Sequence, residues 1–180
     1  MSSVLSGTSF SPLGSDQNQR NMYSIRPWLY IGKFRETLDY NLLYQSNIGS
    51  MLQLAESVQH PGISSLYIPV EDGESLSFDK LRSGVEFVRL AKARDKNVLI
   101  ACGAGISRGV SFAIASLKEE ENLSLLDAFR EIQAEHPQAT PHLELWQSLC
   151  DYYKENVPYN TILKLIFQQM AMAKRLPKIP

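Results

Sequence analysis

The 180-residue sequence is poor in the features that mark several classes of protein. It has only two cysteines, Cys102 and Cys150, which are too few for the disulfide framework of a small secreted domain. Its net charge of −1 gives no electrostatic reason to expect a nucleic acid or a membrane surface as a partner. No apolar run approaches the roughly 20 residues that cross a bilayer. The N-terminus also lacks the basic and apolar regions of a signal peptide.

Histidine is scarce as well, and its placement argues against a metal site. His60, His136 and His142 are scattered without the spacing of metal ligands. We therefore expect no metal and no other cofactor. Two cysteines outside any framework fit a reducing compartment, and the expected location is cytoplasmic.

Length and local composition indicate one domain with two appendages. Residues 1–22 are rich in Ser, Gly, Asn and Gln and are predicted to be a flexible leader. Residues 23–157 are long enough to bury a sizeable core. Pro158 interrupts the helical pattern, and residues 158–180 are predicted to be a C-terminal helical extension.

The hydrophobic periodicity predicts an α/β fold with a mainly parallel central sheet flanked by helices. Short apolar runs predict strands at 28–32, 48–54, 66–70 and 98–101. Pro69 indicates an exposed edge strand or the end of pairing. Helical spacing and capping residues predict helices at 37–45, 77–94, 108–117, 124–136, 140–153 and 161–174, with Thr37, Ser77, Ser124 and Thr140 as caps. In such sheets a ligand site lies at the carboxyl end of a central strand.

The most informative stretch follows the apolar run 98–101. It reads Cys102-Gly-Ala-Gly-Ile-Ser-Arg108 and leads directly into a helical pattern. Gly103 and Gly105 are expected to take positive φ angles and turn backbone N–H groups inward. The start of a helix adds further N–H groups and a favourable dipole, so the loop suits a tetrahedral dianion.

The two ends of this loop supply the chemistry. Arg108 can grip two oxygens of a phosphate with its planar guanidinium, and positive surroundings favour the thiolate form of Cys102. We therefore expect attack on phosphorus by Cys102 and hydrolysis through a cysteinyl-phosphate. Ser107 is expected to bond within the loop or to cap the helix. The expected phosphate-binding residues are Gly103, Ala104, Gly105, Ile106, Ser107 and Arg108.

Cys-x5-Arg between a strand and a helix resembles the cysteine-based protein phosphatases, and the Gly-Ile-Ser-Arg ending is most similar to their dual-specificity branch. The run 25–32 also resembles the opening of dual-specificity domains. The resemblance covers roughly residues 23–155. It implies the fold of that family, a catalytic role for 23–157, phosphoprotein substrates and a phosphate or similar oxyanion in the loop.

An acidic loop before the helix at 77–94 is the expected source of the leaving-group proton. Glu71, Asp72 and Glu74 are the candidates. The family places its acid as an aspartate after a strand, about thirty residues before the cysteine, and Asp72 matches that position. The alternative is a solvated acidic turn, which an Asp-Gly pair also forms.

Three positions depart from the family pattern. Ala101 stands where the family has His, Gly109 where it has Ser or Thr, and His142 where Asn is common. In the family, the histidine helps to hold the thiolate loop and the hydroxyl bonds the cysteine sulfur. Hydrogen bonds to charged groups contribute roughly 1.5–3 kcal/mol, so losing both is expected to slow the enzyme. Replacing Gly109 by Ser should speed breakdown of the intermediate, and replacing Ala101 by His should favour the thiolate.

These departures keep a second function open, that of a pseudophosphatase that binds phosphoproteins without turnover. A third alternative is a sulfur-transfer enzyme of the rhodanese type, which also uses a loop cysteine. The loop interior contains no lysine, which disfavours highly charged lipid substrates. Phosphotyrosine peptides are the expected substrates, with phosphoserine and phosphothreonine peptides as further candidates. The apolar stripe of the last helix leaves a monomer or a homodimer through that helix as the expected states.

Overall fold

Five strands form a single sheet in the computed structural model, which describes residues 22–175. The strands are β1 (Met22–Arg26), β2 (Leu29–Lys33), β3 (Ile48–Gln53), β4 (Ser64–Tyr67) and β5 (Asn97–Cys102). The helices are α1 (Phe34–Thr37), α2 (Tyr40–Gln45), α3 (Phe78–Lys92), α4 (Arg108–Glu121), α5 (Leu125–Glu135), α6 (Leu143–Tyr153) and α7 (Tyr159–Arg175).

The sheet is mainly parallel, and β5 lies at its centre. The strand order is β1-β2-β5-β3-β4. Only β1 runs antiparallel to its neighbour, β2; the other three pairings are parallel. The predicted α/β architecture is therefore confirmed. Because parallel strands end at one edge, the loop after β5 leaves the sheet at its middle.

Two apolar clusters cover the two faces of the sheet. Side chains along β5 alternate between them, as expected for a strand buried on both sides. Val98, Ile100 and Cys102 belong to the larger cluster, which also contains residues from α3 to α7. Leu99 and Ala101 belong to the smaller one, with Leu43 of α2 and Met51 of β3.

The first part of the domain differs from the predicted elements. β1 was not predicted, and Met22, the last residue of the predicted leader, pairs with Gly32; residues 1–21 lie outside the described part of the chain. Instead of one helix capped by Thr37 there are two short ones. Thr37 is buried and its hydroxyl donates to the carbonyl of Phe34, which closes α1. Asp39 caps α2 by accepting from the N–H of Leu42 at 3.0 Å.

β4 ends earlier than predicted, at Tyr67, and is the edge strand that Pro69 indicated. Regular pairing stops there, although the N–H groups of Ile68 and Val70 still donate to carbonyls of β3 and the residue after it. Pro69 occupies the position between them, where no donor is needed. The chain therefore stays extended until it reaches the acidic loop at 71–77.

The helix predicted from Thr140 instead begins at Leu143, with His142 at the N-cap. Thr140 lies before the start of this helix, and its N–H donates to the carbonyl of Ile106 at 2.9 Å, which holds this segment beside the loop after β5. At the end of the described region, α7 begins two residues earlier than predicted, at Tyr159. No helix within residues 22–175 combines the length and apolarity needed to cross a membrane.

Candidate active site

The loop from Cys102 to Arg108 joins the end of β5 to the start of α4, as the sequence predicted. Gly105 takes a positive φ of 70°. A Cβ there would also lie 3.0 Å from the carbonyl oxygen of Gly32, so glycine is required on both counts. The same expectation for Gly103 is wrong, because its φ is not positive. A Cβ at Gly103 would instead lie 3.0 Å from Nη2 of Arg108, so its role is to leave room for the guanidinium.

Arg108 and Cys102 both line a cleft at this loop. Cys102 is 2% exposed, at the end of the central strand. The half-buried guanidinium of Arg108 donates from Nη1 to the carbonyl of Val70 at 2.8 Å. That bond ties the arginine to the segment after β4 that leads into the acidic loop. A cation is thereby held at the cleft that the thiol also lines, where it could bind a phosphate.

Asp72 reaches the same cleft through a hydrogen-bonded chain. The Ser107 hydroxyl donates to Oδ1 of Asp72 at 2.7 Å and accepts from the N–H of His142 at 3.0 Å. Gly73 has a φ of 86°, which glycine accommodates without strain, and its backbone passes close to His142. A Cβ added at Gly73 would lie 3.5 Å from the His142 ring. Three segments distant in sequence therefore meet at Ser107. Its hydroxyl makes no capping bond to α4 and, within residues 22–175, bonds only to Asp72 and His142, which both lie outside the loop, so neither of its two predicted roles is observed.

The acidic loop is also fixed where it enters α3. Leu76 is buried, and its N–H donates to the hydroxyl of Ser148 on α6 at 2.9 Å. Ser77 caps α3 as predicted, by accepting from the N–H of Lys80. Asp72 itself is exposed to solvent. A carboxyl group that is positioned yet exposed can exchange protons with water between turnovers.

His136 contacts the loop from behind, and the sequence did not indicate this. Its Nε2 lies 2.8 Å from the carbonyl oxygen of Gly105, and its ring stacks on Tyr23 of β1 with centroids 3.6 Å apart. Burial lowers the pKa of His136, and the nearby charge of Lys33 acts in the same direction. A neutral imidazole that donates from Nε2 fits this geometry. Within residues 22–175, Nδ1 has no hydrogen-bond partner.

The cleft has a volume of about 280 Å³. It is lined by Asp72, Cys102, Ala104, Ile106, Ser107, Arg108, Thr140, His142 and Tyr159. All three predicted catalytic residues are among them. Gly103 and Gly105, two of the six predicted phosphate-binding residues, are not among the lining residues. The sequence did not predict that Thr140 and Tyr159 line the cleft. They reach it only because the folded chain brings the segment before α6 and the start of α7 to the loop after β5.

The positions that depart from the family pattern have contrasting surroundings. A Cβ at Gly109 would lie 3.6 Å from Sγ of Cys102 and 3.4 Å from the carbonyl of Ile100, so a small side chain fits there beside the sulfur. Ala101 packs in the smaller apolar cluster, facing away from Cys102. The exposed His142 caps α6 by accepting from the N–H of Glu144.

Cys150 lies on the apolar side of α6, and its sulfur lies 3.7 Å from the carbonyl oxygen of Val157. Both cysteines are free thiols. Burial raises the pKa of Cys150, which keeps it protonated and unreactive. Within the described residues, no group of three or more His, Cys, Asp or Glu side chains could hold a metal ion.

Comparison with known proteins decides which family this site belongs to. The model of the dual specificity phosphatase catalytic domain matches residues 29–155. The chain belongs to this family. Human dual specificity protein phosphatase 16 is 33% identical over 137 residues, which are 73% of this chain and 20% of that protein. Human dual specificity protein phosphatase 22 is 27% identical over 139 residues, 76% of each chain. This dual specificity phosphatase chain thus spans a fifth of one relative and three quarters of the other.

Solved structures agree with the assignment. A mouse putative dual specificity phosphatase, complexed with zinc tungstate, superposes with a TM-score of 0.72. It is 25% identical and covers 79% of this chain and 92% of that one. The structure of human serine/threonine/tyrosine-interacting protein, described as tyrosine phosphatase-like, has a TM-score of 0.69 at 20% identity and covers 76% of this chain and 97% of that one. That second likeness shows the shared fold alone.

Proposed function

We propose that the protein hydrolyses phosphoprotein monoesters, with phosphotyrosine as a substrate and phosphoserine and phosphothreonine as further ones. The observation that carries this proposal is the cleft that Cys102, Arg108 and Asp72 line together. A nucleophile, a cation and a carboxylic acid are the groups that this reaction needs. Membership of the dual specificity phosphatase family supports the same reaction.

In the first step, the Cys102 thiolate attacks phosphorus. The S–P bond forms as the P–O ester bond breaks, and Asp72 gives its proton to the leaving oxygen. Arg108 and the backbone N–H groups of 103–108 bind the equatorial oxygens, where charge is held in the transition state. The bond between Arg108 and Val70 keeps the guanidinium in place before substrate arrives.

In the second step, water attacks the cysteinyl-phosphate. Asp72, now a carboxylate, takes a proton from this water, and the S–P bond breaks to release phosphate and the thiolate. Ser107 aims the carboxylate for both proton transfers, because its hydroxyl donates to Oδ1. The glycine at position 109 supplies no hydroxyl to the sulfur, so this second step is the slow one in our proposal.

The tungstate in the complex of the similar mouse protein is a tetrahedral oxyanion like phosphate, which supports an oxyanion ligand for this loop. A monomer is the working unit in this proposal, because the nucleophile, the arginine and the acid that line the cleft belong to the same chain. Exposed Phe167 and Met170 on α7 keep a homodimer through that helix as the alternative. We also propose a cytoplasmic location, because a catalytic thiolate requires a reducing compartment.

Turnover of an aryl phosphate between pH 5 and 8 tests the proposal, with Cys102→Ser and Asp72→Asn as variants. Cys102→Ser should abolish turnover, and Asp72→Asn should lower it by about 10²–10⁴-fold, the usual contribution of general acid–base catalysis. A phosphorylated Cys102 peptide should be found by mass spectrometry after rapid acid quench of the wild type.

The second candidate is a phosphoprotein-binding pseudophosphatase, which Ala101 and Gly109 favour. Its signature is the absence of turnover in the wild type together with phosphopeptide binding that Arg108→Ala abolishes. Turnover that survives in Cys102→Ser would contradict both functions, because it would place the reaction at another site.

A further inference from the structure

Tyr159 brings an aromatic ring to the cleft from outside the matched family domain. The family match ends at residue 155, whereas Tyr159 is the first residue of α7. It lines the same cleft as Cys102 and Arg108. The C-terminal helix is therefore part of the site that substrates enter.

The ring is held firmly at this place. Its hydroxyl donates to the carbonyl of Pro141 at 2.9 Å. Just before it, the carbonyl of Val157 accepts from Nε1 of Trp146 at 2.8 Å. Just after it, Ile162 is completely buried in the larger core. A ring that is fixed on both sides loses little conformational entropy when a ligand packs against it.

Two apolar side chains line the cleft together with this ring. They are Ala104 and Ile106, and the same cleft is lined by Cys102 and Arg108. Burial raises the pKa of Tyr159, so the phenol stays neutral and keeps its bond to Pro141. Tyr159 thus adds a neutral aromatic side chain to the cleft in which a phosphate would bind.

Phosphate esters differ in the chemical group that they would place against the Tyr159 ring. A phosphotyrosyl group inserts a planar ring between the phosphate and the peptide backbone, whereas phosphoseryl and phosphothreonyl groups insert only short aliphatic carbons. Aromatic pairs in offset or edge-to-face contact are favoured beyond the area that they bury.

We propose that Tyr159 is a specificity-determining residue that contacts the aryl ring of the substrate and makes phosphotyrosyl esters the preferred class. This inference deepens the proposed function and rests on it. Tyr159 takes no part in the bond-breaking steps. The contact lowers the barrier for aryl esters by binding their ring alongside the reacting phosphate.

The test compares two peptides of identical sequence, one phosphotyrosyl and one phosphothreonyl, in the full chain. Tyr159→Leu should lower kcat/KM for the phosphotyrosyl peptide by about five- to tenfold, the factor that an aromatic contact supplies. The phosphothreonyl peptide and inhibition by vanadate should change by less than about twofold, within the variation of surface substitutions. Tyr159→Phe, which keeps the ring, should retain most of the preference.

Phe167→Leu is the matched control, because Phe167 lies on the same helix and is 64% exposed. It should leave both peptides unchanged. An equal loss on both peptides in Tyr159→Leu, or no loss on either, would overturn the proposal. The proposal would also be overturned if Tyr159→Phe lost as much activity on the phosphotyrosyl peptide as Tyr159→Leu.

A binding measurement keeps the inference separate from turnover and from any folding defect of the Leu variant. In the Cys102→Ser protein, the ring proton signals of Tyr159, assigned by their loss in Tyr159→Phe, should shift with phenyl phosphate and not with inorganic phosphate. Signals that stay in place at saturating phenyl phosphate would overturn the inference. Shifted signals in a protein whose wild type has no turnover would support it and refute the hydrolytic function.

Discussion

Gly109 is the residue whose missing side chain matters most to the proposed chemistry. It follows Arg108 directly, and the space where its Cβ would be lies 3.6 Å from the Cys102 sulfur. A hydroxyl on that carbon could donate to the thiolate and help it leave phosphorus. Ala101, the other neighbouring departure, packs against Leu43 and Met51 in the smaller core. A histidine there would overfill the core at a cost of about 1–3 kcal/mol, so position 109 offers the cleaner test.

We predict that Gly109→Ser raises kcat for an aryl phosphate about tenfold, since hydrogen bonds to charged groups contribute roughly 1.5–3 kcal/mol. Rapid-quench kinetics should show faster decay of the cysteinyl-phosphate with little change in its formation. Gly109→Ala is the control, because it adds the same Cβ without the hydroxyl. Equal kinetics in the Ser and Ala variants would show that the hydroxyl plays no part.

At the scale of elements, β1 and the end of α5 act together on the loop after β5. Tyr23 of β1 stacks on His136, and His136 reaches the carbonyl of Gly105. Arg26, on the same strand, pairs with Glu121 of α4 and Glu131 of α5. The short edge strand is thereby tied to both helices around the site, and the glycine that turns the loop is supported from behind.

This contact predicts a loss of stability on acidification. The pKa of His136 is lowered in the folded protein, so below the ordinary value of about 6.5 the unfolded chain binds a proton that the folded chain does not. The contribution is fully present above that value and is lost as the pH falls towards the folded pKa. Urea unfolding at pH 7.5 and 5.5 should show a larger fall in the free energy of unfolding for the wild type than for His136→Gln.

Glutamine is the matched replacement, because its amide nitrogen can donate to Gly105 from about the position of Nε2 and does not titrate. His60 and His142 are present in both proteins, so their titration cancels in the comparison. The same pH dependence in the two proteins would mean that His136 titrates alike in the folded and unfolded states.

At the scale of the whole molecule, α7 belongs to the same folded unit as the domain that the family match covers. Ile162 and Ile166 are buried in the larger cluster with residues of the sheet and of α3 to α6. The indole of Trp146 also holds the segment that precedes α7. The end of the family match at residue 155 is therefore not a boundary in the packing.

Ile162→Ala should accordingly lower the free energy of global unfolding by about 2–5 kcal/mol, the usual cost of emptying a fully buried site. Phe167→Ala, on the exposed side of the same helix, should change it by less than about 0.5 kcal/mol. Urea unfolding followed by tryptophan fluorescence and by circular dichroism measures both. A separate early transition in circular dichroism alone would show that α7 unfolds independently of the domain.

The sequence predicted the parts of the molecule that local patterns encode. The parallel sheet followed from apolar runs alternating with helical spacing, and the loop from Cys102 to Arg108 from its glycines and its place before a helix. The contacts of His136, Thr140 and Tyr159 could not be predicted, because each depends on two segments that meet only in the folded chain. Thr140 shows the limit well, since its bond to the loop carbonyl of Ile106 overrides a good capping signal.

The stacking of Tyr23 on His136 has a consequence for the protein's synthesis. Tyr23 also donates to Gln138, which lies 115 residues further along the chain, so β1 leaves the ribosome long before the segment that it packs against. The loop that holds Cys102 lacks its support until α5 has been translated. A nascent chain interrupted between α4 and α5 would carry the thiol and the arginine without an organised anion site. We therefore expect catalytic competence to arise late in translation, when nearly the whole domain has emerged.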